Sequence, residues 1–472
     1  MSDVNTLTAS QRIARFSHQM APALLSTAEF HQVGRALIDT VGVALAGCDE
    51  AASRAMLAYA GRHGPFDRAA RDAGKGRDGA LAWGHADYCA VEDAALYNGV
   101  AGHVLDYDDV NSPLRGHPSI ALLPALASLG QQRGAHGGRL ASAYVVGFEV
   151  MVRLARAMVR DHYAKGWHAT TTLGTIGGAV ACSHLLGLSA DRTVNAIGLA
   201  VAQAAGTRGN FGSMAKSFQA GHCAASAVRA ALLAELDVDA AADALDGEQG
   251  FMRLYGQGED PAAALAGLET VGLPGGERFE LELSGIEVKK YPMCYAAHRA
   301  LDGVLDLRAE HGLRAQDVRH VHVRANRRAM VPLIHKRPRT GLEAKFSMEY
   351  AMAAALVDGH VRLSSFTDTA VLRPEIQRLI DSTTREEDTG PETPRWNTVE
   401  ITLASGQTLT RHVTELRGSS SLPLSDDALR EKWQDCLAYS GFGGGLNEHG
   451  DAFFQAALNL QKVSVDDLLQ AL

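Results

Sequence analysis

The sequence predicts a mainly α-helical protein in which a smaller α+β domain is inserted between helical segments from the two ends of the chain. Residues 8–266 have helical character nearly throughout. The pattern changes near residues 273–277, after which alternating polar and apolar residues indicate strands. Helical spacing then returns towards the C-terminus. We therefore expect a helical domain at 1–272, an α+β domain at 273–415, and C-terminal helices at 416–472 that return to the helical domain.

Three helices stand out in the first part of the chain. Apolar residues recur at helical spacing from His31 to Leu45, and Ser26 and Thr27 precede that segment as candidate N-caps. Residues Arg139–Val159 show a similar amphipathic pattern. Residues Thr170–Leu188 are rich in Gly and Ala and have almost no outward bulk, so we expect this helix deep in the core.

The middle of the chain carries the strand signals. Period-two alternation predicts strands at Phe279–Leu283 and Val318–Val323. The clearest hairpin joins Thr398–Leu403 to Thr408–Val413 through a turn at Ser405 and Gly406.

Helices separate and follow these strands. Phe346–Val357 is predicted to be helical, with Ser347 as its N-cap. Further helices are expected at Ser425–Leu437 and from Val465 to Leu472. The intervening glycine-rich run Gly441–Gly445 is predicted to be a loop, and it lacks the Lys-Ser/Thr of a phosphate-binding loop.

Composition and charge narrow the possible partners. The 472 residues are 46% hydrophobic and 21% charged, with a formal net charge of −9. This charge argues against nucleic acid or an anionic membrane as partner, although a local group of Lys and Arg can still bind an anion. The six cysteines show no C-x-x-C and no metal-ligand spacing, which is typical of reduced thiols. With no secretory signal or membrane-spanning run evident, we expect a cytoplasmic protein.

One run places imidazoles close to carboxylates. His103 and Asp106 are three residues apart and would share a helix face, while Asp108, Asp109 and then His117 follow. An imidazole beside a carboxylate can transfer protons as a general acid or base. The alternative is a capping cluster with a solvated loop. The acidic residues lack the order of a calcium-binding loop, and we predict no metal.

Lysines and a further imidazole lie in three other runs. His168 comes directly before the small-residue helix, whose free N–H groups could bind a carboxylate, although a single histidine is more often structural. Lys216 lies in an otherwise small and apolar stretch and either pairs with an anion or is exposed. Lys289 and Lys290 follow a predicted strand, so at most one of them should face a common site. The role of Lys345 is left open.

Together these motifs resemble the 2-methylcitrate dehydratase (MmgE/PrpD) family, which includes cis-aconitate decarboxylase and iminodisuccinate epimerase. The resemblance covers almost the whole chain, in the runs 98–109, 117–119, 166–168, 211–216, 289–298 and 340–347. It implies a large helical domain from both chain ends, a smaller α+β lid domain, a homodimer, and no metal or organic cofactor.

The resemblance also implies the site. The family's active-site positions fall on five catalytic residues, which we expect to converge on one cleft: Asp106, His117, His168, Lys216 and Lys289. We expect four residues to bind substrate: His103, Tyr291, Gln219 and His298. Val110 and Gln219 stand where decarboxylase-like members carry Thr and many members carry His, and the runs 115–119 and 294–298 look closer to the epimerase-like branch.

The family's reactions pass through negative charge beside a carboxylate. Lys216 and Lys289 would hold carboxylates, and His117 supported by Asp106 would be the base. We therefore expect acid–base chemistry on a small di- or tricarboxylic acid, with dehydratase-type elimination by a lyase first and epimerisation by an isomerase second. A non-catalytic carboxylate binder is the competing class.

Overall fold

The computed structural model describes residues 7–63, 79–85, 88–257, 260–440, 447–470 and 472. They form two compact units, the first comprising residues 1–104, 108–287 and 436–472 and the second residues 105–107 and 288–435. The mainly helical class with a small α+β portion is confirmed. The domain limits expected from the sequence stay a prediction. Among the described residues, no helix has both the length and the apolar composition that crossing a membrane requires.

The first unit is built from helices and one short antiparallel sheet of two strands, β1 (Ala80–Leu81) and β2 (Tyr88–Cys89). Its helices up to residue 287 are α1 (Ala9–Gln19), α2 (Thr27–Gly47), α3 (Ala51–Ala60), α4 (Val91–His103), α5 (Pro118–Arg133), α6 (Gly137–Ala164), α7 (Ala169–Leu186), α8 (Ala190–Val201), α9 (Met214–Glu235), α10 (Phe251–Tyr255), α11 (Pro261–Ala264) and α12 (Glu280–Leu283).

The predicted helices of this unit are confirmed. Ser26 caps α2, with its Oγ accepting the N–H of Ala28 at 3.2 Å. Helix α7, the small-residue helix, is buried along nearly its whole length and packs against α5, α6 and α9. Because Gly and Ala leave little between neighbouring backbones, α7 can lie at the centre of this helical core.

Helices α4 and α9 touch backbone to backbone. A Cβ added at Gly99 would lie 2.7 Å from the Cα of Gly221, and one added at Gly221 would run into the carbonyl oxygen of Leu96. This contact fixes how the helix that ends at His103 crosses the helix that begins at Met214.

The second unit contains a four-stranded sheet in the order β4–β3–β5–β6. Its strands are β3 (Val318–Ala325), β4 (Thr383–Glu387), β5 (Asn397–Leu403) and β6 (Thr408–Val413), with β3 parallel to β4 and the other neighbours antiparallel. Its helices are α13 (His298–His311), α14 (Gly341–Ala344), α15 (Met348–Asp358), α16 (Asp368–Val371), α17 (Pro374–Asp381) and α18 (Asp426–Tyr439); α19 (Asn447–Leu458) and α20 (Val465–Gln470) then belong to the first unit.

The strand Val318–Val323, the hairpin and the Ser347 cap are confirmed. In the hairpin Ile401 pairs with Leu409, and Gly406 takes the positive φ of 90° that the turn requires. Ser347 accepts the N–H of Tyr350 at 3.1 Å at the start of α15. The buried face of β3 and β5 packs into the core of this unit beneath α13.

The predicted strand at Phe279–Leu283 is wrong: Glu280–Leu283 is the short helix α12. The N–H of Glu280 donates to a carboxylate oxygen of Glu149 at 2.6 Å, and its own carboxylate binds Arg156 at 2.6 Å. The Glu149 carboxylate thus satisfies a backbone donor that a neighbouring strand would otherwise pair. Nor does a strand precede Lys289, since Glu287 makes only an isolated bridge to Val110. The predicted loop at 441–445 lies outside the described residues.

Candidate active site

Two imidazoles stand at the N-termini of neighbouring buried helices. His117 is the N-cap of α5, where Pro118 occupies the first helical position, and His168 is the N-cap of α7. The backbone N–H of His117 donates to Thr170 Oγ1 at 3.0 Å, which ties the two helix starts together. The positive end of a helix dipole disfavours an imidazolium and favours an anion, so both rings lie where a carboxylate would be stabilised.

A buried carboxylate joins two imidazoles. Asp108 Oδ2 lies 2.8 Å from His103 Nδ1 and 3.0 Å from His117 Nδ1. The side chains of His103 and Asp108 are fully buried, whereas 12% of the His117 side chain is exposed. The ring centroids of His103 and His117 are 4.6 Å apart. His117 is therefore the member of this cluster that solvent or a small ligand can reach.

Burial and the two imidazoles decide the protonation of the cluster. Burial alone would raise the pKa of Asp108, but the charges and hydrogen bonds of His103 and His117 hold it well below its usual range. Burial lowers the pKa of His103 to about 4, against the opposing effect of Asp108. At neutral pH an ionised Asp108 thus accepts the Nδ1–H of a neutral His103. Among the described residues, nothing hydrogen-bonds to the buried Nε2 of His103.

Gln219 sets the tautomer of His168. The amide Nε2 of Gln219 donates to the carbonyl of Thr207 at 3.1 Å, so its Oε1, 2.8 Å from His168 Nδ1, accepts the proton on that nitrogen. Burial, and then the charges of His103 and Lys216, lower the pKa of His168 well below its usual value. His168 is consequently a neutral ring whose lone pair is on Nε2. Its centroid lies 6.1 Å from that of His103.

Lys216 adds a positive charge beside these imidazoles. It lies in the first turn of α9, partly exposed, with its Nζ 5.7 Å from the ring centroid of Phe211. Its charge contributes to the lowered pKa of both His103 and His168. An ammonium near these two imidazoles can bind a carboxylate and stabilise negative charge that develops next to it.

The same cluster could hold a metal ion. Single ligand atoms of His103, Asp108 and His117 all lie within 4.8 Å of one another in the described part of the chain. Two imidazole nitrogens and a carboxylate oxygen suit zinc or a similar divalent cation. The sequence-based expectation of no metal accordingly stays a prediction, and chelation tests it.

Asp106 and Lys289 form a buried ion pair in the second unit. Lys289 Nζ donates to the carbonyl oxygen of Asp106 at 2.6 Å and lies 3.2 Å from its Oδ2. Helix α4 ends at His103, so Asp106 does not share a helix face with it as expected. Asp106 instead has a positive φ of 54°, a conformation that Asp tolerates better than most side chains.

Tyr291 and His298 are buried near this pair. The hydroxyl of Tyr291 donates to Asp302 Oδ1 at 2.8 Å. His298 has its Nε2 3.2 Å from the carbonyl of Met293. Burial, and then the charge of Lys289, lower the pKa of His298 to about 3, so the ring is neutral. Both side chains therefore have partners in the fold, and their binding to substrate stays a prediction.

The expected site residues thus fall into two groups. His103, His117, His168, Lys216 and Gln219 are brought together in the first unit, and Asp106, Lys289, Tyr291 and His298 in the second. The carboxylate against His117 is Asp108, where we expected Asp106. Asp108 was visible in the acidic run, but it lies beyond the end of α4; helical spacing paired Asp106 with His103, and the family resemblance placed Asp106 at the site.

Comparison with known proteins gives the family. The chain matches the MmgE/PrpD N-terminal domain over residues 11–264 and the MmgE/PrpD C-terminal domain over residues 291–443. It is 29% identical to the cis-aconitate decarboxylase of Homo sapiens over 359 residues, which is 72% of this chain and 71% of the relative. It is 25% identical to the cis-aconitate decarboxylase of Aspergillus terreus over 371 residues, or 72% and 73% of the two chains. The chain therefore belongs to the MmgE/PrpD family.

Proposed function

We propose that this protein is a lyase that performs cofactor-independent acid–base chemistry beside a carboxylate of a small di- or tricarboxylic acid. The observation that carries the proposal is the cluster of His103, Asp108 and His117, in which a buried, ionised carboxylate orients two imidazoles. The names of the relatives, cis-aconitate decarboxylases, support the class of substrate.

His117 is the proposed base. Asp108 Oδ2, 3.0 Å from Nδ1, is the proposed acceptor of the proton on that nitrogen, which would leave the lone pair on Nε2 to remove a proton from the carbon beside the substrate carboxylate. Asp108 then stabilises the imidazolium that forms. Lys216 pairs with the carboxylate on which negative charge develops.

Dehydration is the proposed reaction. The C–H proton passes to His117, a carbon–carbon double bond forms, and the adjacent C–O bond breaks. The departing hydroxide takes a proton, for which the ammonium of Lys216 is the proposed donor, and leaves as water. His168, held by Gln219, supplies Nε2 as an acceptor for a substrate hydroxyl.

The remaining roles come from the family resemblance. We propose Asp106 and Lys289 as catalytic residues and His103, Gln219, Tyr291 and His298 as substrate-binding residues. The ion pair of Lys289 with Asp106 supports a role for Lys289 in fixing that carboxylate. We also propose a homodimer, which light scattering of the purified protein tests.

The relatives' names favour decarboxylation as the second candidate. The two reactions differ in which bonds break: dehydration breaks the C–H bond beside the carboxylate and the neighbouring C–O bond and releases water, whereas decarboxylation breaks the bond to the carboxylate, releases CO2 and then protonates the carbanion. Val110 departs from the Thr of decarboxylase-like members and Gln219 from the His of many members, and for this reason we propose dehydration first. Epimerisation, supported only by two short segments, comes third.

A single experiment separates these outcomes. The protein is incubated in D2O with citrate-, methylcitrate-, aconitate- and iminodisuccinate-like acids, each followed by NMR and by CO2 release. An alkene formed or hydrated without CO2 indicates a dehydratase, CO2 release indicates a decarboxylase, and deuterium incorporation with inversion alone indicates an epimerase. Binding of an acid with neither turnover nor deuterium exchange would refute the enzyme and leave the carboxylate binder.

A further inference from the structure

Three buried lysines meet one three-residue segment of the second unit. Leu105–Tyr107 clusters with this unit although the residues on both sides of it belong to the first. Lys345 Nζ donates to the carbonyl of Leu105 at 2.7 Å, Lys289 Nζ to that of Asp106 at 2.6 Å, and Lys432 Nζ to that of Tyr107 at 2.8 Å. Three successive carbonyl oxygens thus each accept a hydrogen bond from a different lysine.

These lysines come from separate parts of the second unit. Lys289 lies just inside its start, Lys345 is the C-cap of α14, and Lys432 is in α18. Their exposed fractions are 1%, 6% and 5%. Burying an ammonium is unfavourable unless hydrogen bonds compensate for its lost hydration. Apolar side chains of similar length would fill the same space without this cost, so the positions of the three amines call for an explanation beyond packing.

Each lysine makes a second contact close by, which for Lys289 is the Oδ2 of Asp106 at 3.2 Å. Lys345 Nζ also donates to the carbonyl of Pro292 at 2.9 Å, which links the segment to the chain that follows Lys289. Lys432 Nζ lies 3.9 Å from the ring centroid of Tyr107, within the range of a cation–π interaction. Each ammonium therefore fixes both a carbonyl and its surroundings.

The segment they hold is conformationally unfavourable and chemically important. Asp106 at its centre has a φ of 54°, which a non-glycine residue keeps only when its surroundings impose it. His103 and Asp108 of the imidazole cluster lie two residues before Leu105 and one residue after Tyr107. A change in the carbonyl directions at 105–107 therefore rotates the peptide planes that lead to both side chains.

We propose that Lys345 and Lys432 are positioning residues that hold the carbonyls of Leu105 and Tyr107, and so keep Asp106 and the adjacent cluster residues in their working orientation. The inference rests on the proposed function and adds two residues to its site. Neither lysine needs to touch the substrate; each acts through the backbone that it binds.

The variants Lys345→Met and Lys432→Met test this, because Met keeps most of the side-chain length and removes the donors. Lys290→Met is the matched control: Lys290 is also partly buried and next to Lys289, but its ammonium lies 5.5 Å from the ring centroid of Tyr291 and, within the described part of the chain, donates to none of the carbonyls of residues 105–107. Its link to the segment is its backbone carbonyl, which accepts the hydroxyl of Tyr107 at 3.1 Å and is kept in the Met variant. We expect kcat to fall roughly tenfold to a hundredfold in the two test variants, the usual effect of a small misplacement, with KM changed little. The control should keep the parent kcat.

Hydrogen–deuterium exchange provides a readout that does not depend on activity. Peptides covering residues 103–110 should exchange about tenfold faster in the test variants, while peptides covering β3 keep the parent rate. If the Met variants unfold, Lys345→Gln and Lys432→Gln replace them, since Gln restores a donor on a shorter side chain. Faster exchange throughout the chain in both series, with no selective change at 103–110, would overturn the proposal.

The two readouts also separate this proposal from the proposed function. If the parent protein turns over none of the acids, the proposed function fails and the exchange comparison alone decides whether the lysines hold the segment. If the parent is active and exchange rises at 103–110 while kcat stays at the parent value, the segment has no part in catalysis and the positioning role is refuted.

Discussion

Replacing Asp108 by Asn should reduce turnover far more than the same replacement one residue later. Asp108 is ionised, fully buried, and 2.8 and 3.0 Å from the Nδ1 atoms of two imidazoles. Asn has nearly the same shape, but it carries no charge and presents donors as well as an acceptor. Asp108→Asn therefore removes the charge that stabilises a protonated His117 and the acceptor that selects its tautomer.

The size of the effect follows from the geometry. At an effective dielectric constant of about 20, a carboxylate roughly 4 Å from an imidazolium stabilises it by about 4 kcal/mol. If this stabilisation is expressed in the transition state, its loss lowers kcat by a factor of about 10³. That value lies within the range of about 10²–10⁴ that a positioned acid or base contributes.

Asp109 provides the matched control. It too is fully buried, but burial, and then the nearby Asp39 carboxylate, raise the pKa of Asp109 well above its usual value, the opposite direction to that of Asp108. It accepts the N–H of Ser119 at 3.2 Å, which an Asn oxygen can also do. Asp109→Asn removes a charge that the surroundings of Asp109 already disfavour, and we expect kcat within about threefold of the parent value.

The assay is steady-state turnover of whichever acid the NMR panel identifies, on variants whose circular dichroism and thermal midpoints show that they are folded. Folding must be checked because an imidazole left without its buried partner can destabilise the protein. A folded Asp108→Asn enzyme that keeps kcat within tenfold of the parent would refute the role given to the cluster. Equal losses in the two variants would show that burial at this turn, not the charge of Asp108, controls the rate.

Three further predictions follow from the same site and its surroundings. His117→Ala should lower kcat by roughly 10²–10⁴-fold and slow solvent-deuterium exchange equally; exchange at the parent rate in a folded variant would assign the base elsewhere. Prolonged EDTA treatment should leave turnover unchanged, and activity lost to EDTA but restored by Zn²⁺ or Mg²⁺ would show that the His103–Asp108–His117 cluster holds a metal. Burial lowers the pKa of His298 to about 3 in the folded protein, against about 6.5 when unfolded. The neutral ring therefore contributes its full stability above pH 6.5, and this contribution is lost as the pH falls. Between pH 7.5 and 5 the free energy of unfolding should fall by about 2 kcal/mol on this account. Urea unfolding should therefore show a smaller loss between these two pH values in His298→Gln than in the parent, and equal losses would contradict the assignment.

Elements specified by neighbouring residues could be predicted from the sequence. Ser26 and Ser347 mark helix starts through bonds to N–H groups two or three residues ahead, and the turn at Gly406 needs only its own positive φ. The predicted strand at Phe279–Leu283 was wrong because the contacts that decide its structure come from residues far away in sequence. Glu149 and Arg156 satisfy Glu280 and allow a turn of helix.

The candidate site could be predicted only in part, because some of its features are local in sequence and others are long-range. His117 and His168 are helix N-caps, which the sequence indicates through Pro118 and through the small-residue helix. The carboxylate at His117 could not be chosen by spacing, because α4 ends at His103 and the chain then turns through a left-handed Asp106. The lysines that hold this turn lie about 180 to 330 residues away in sequence, so no local pattern reports them.

The glycine contact between α4 and α9 limits how this protein can change. Most helix crossings absorb a substitution by rotating side chains, but Gly99 and Gly221 meet through backbone atoms and have no rotamers to adjust. An atom added there can be accommodated only if one of the two helices shifts. Helix α4 ends at His103, and helix α9 begins two residues before Lys216. Substitutions at this crossing would therefore displace residues proposed for catalysis and substrate binding, so a laboratory search for altered specificity should find its tolerated changes elsewhere.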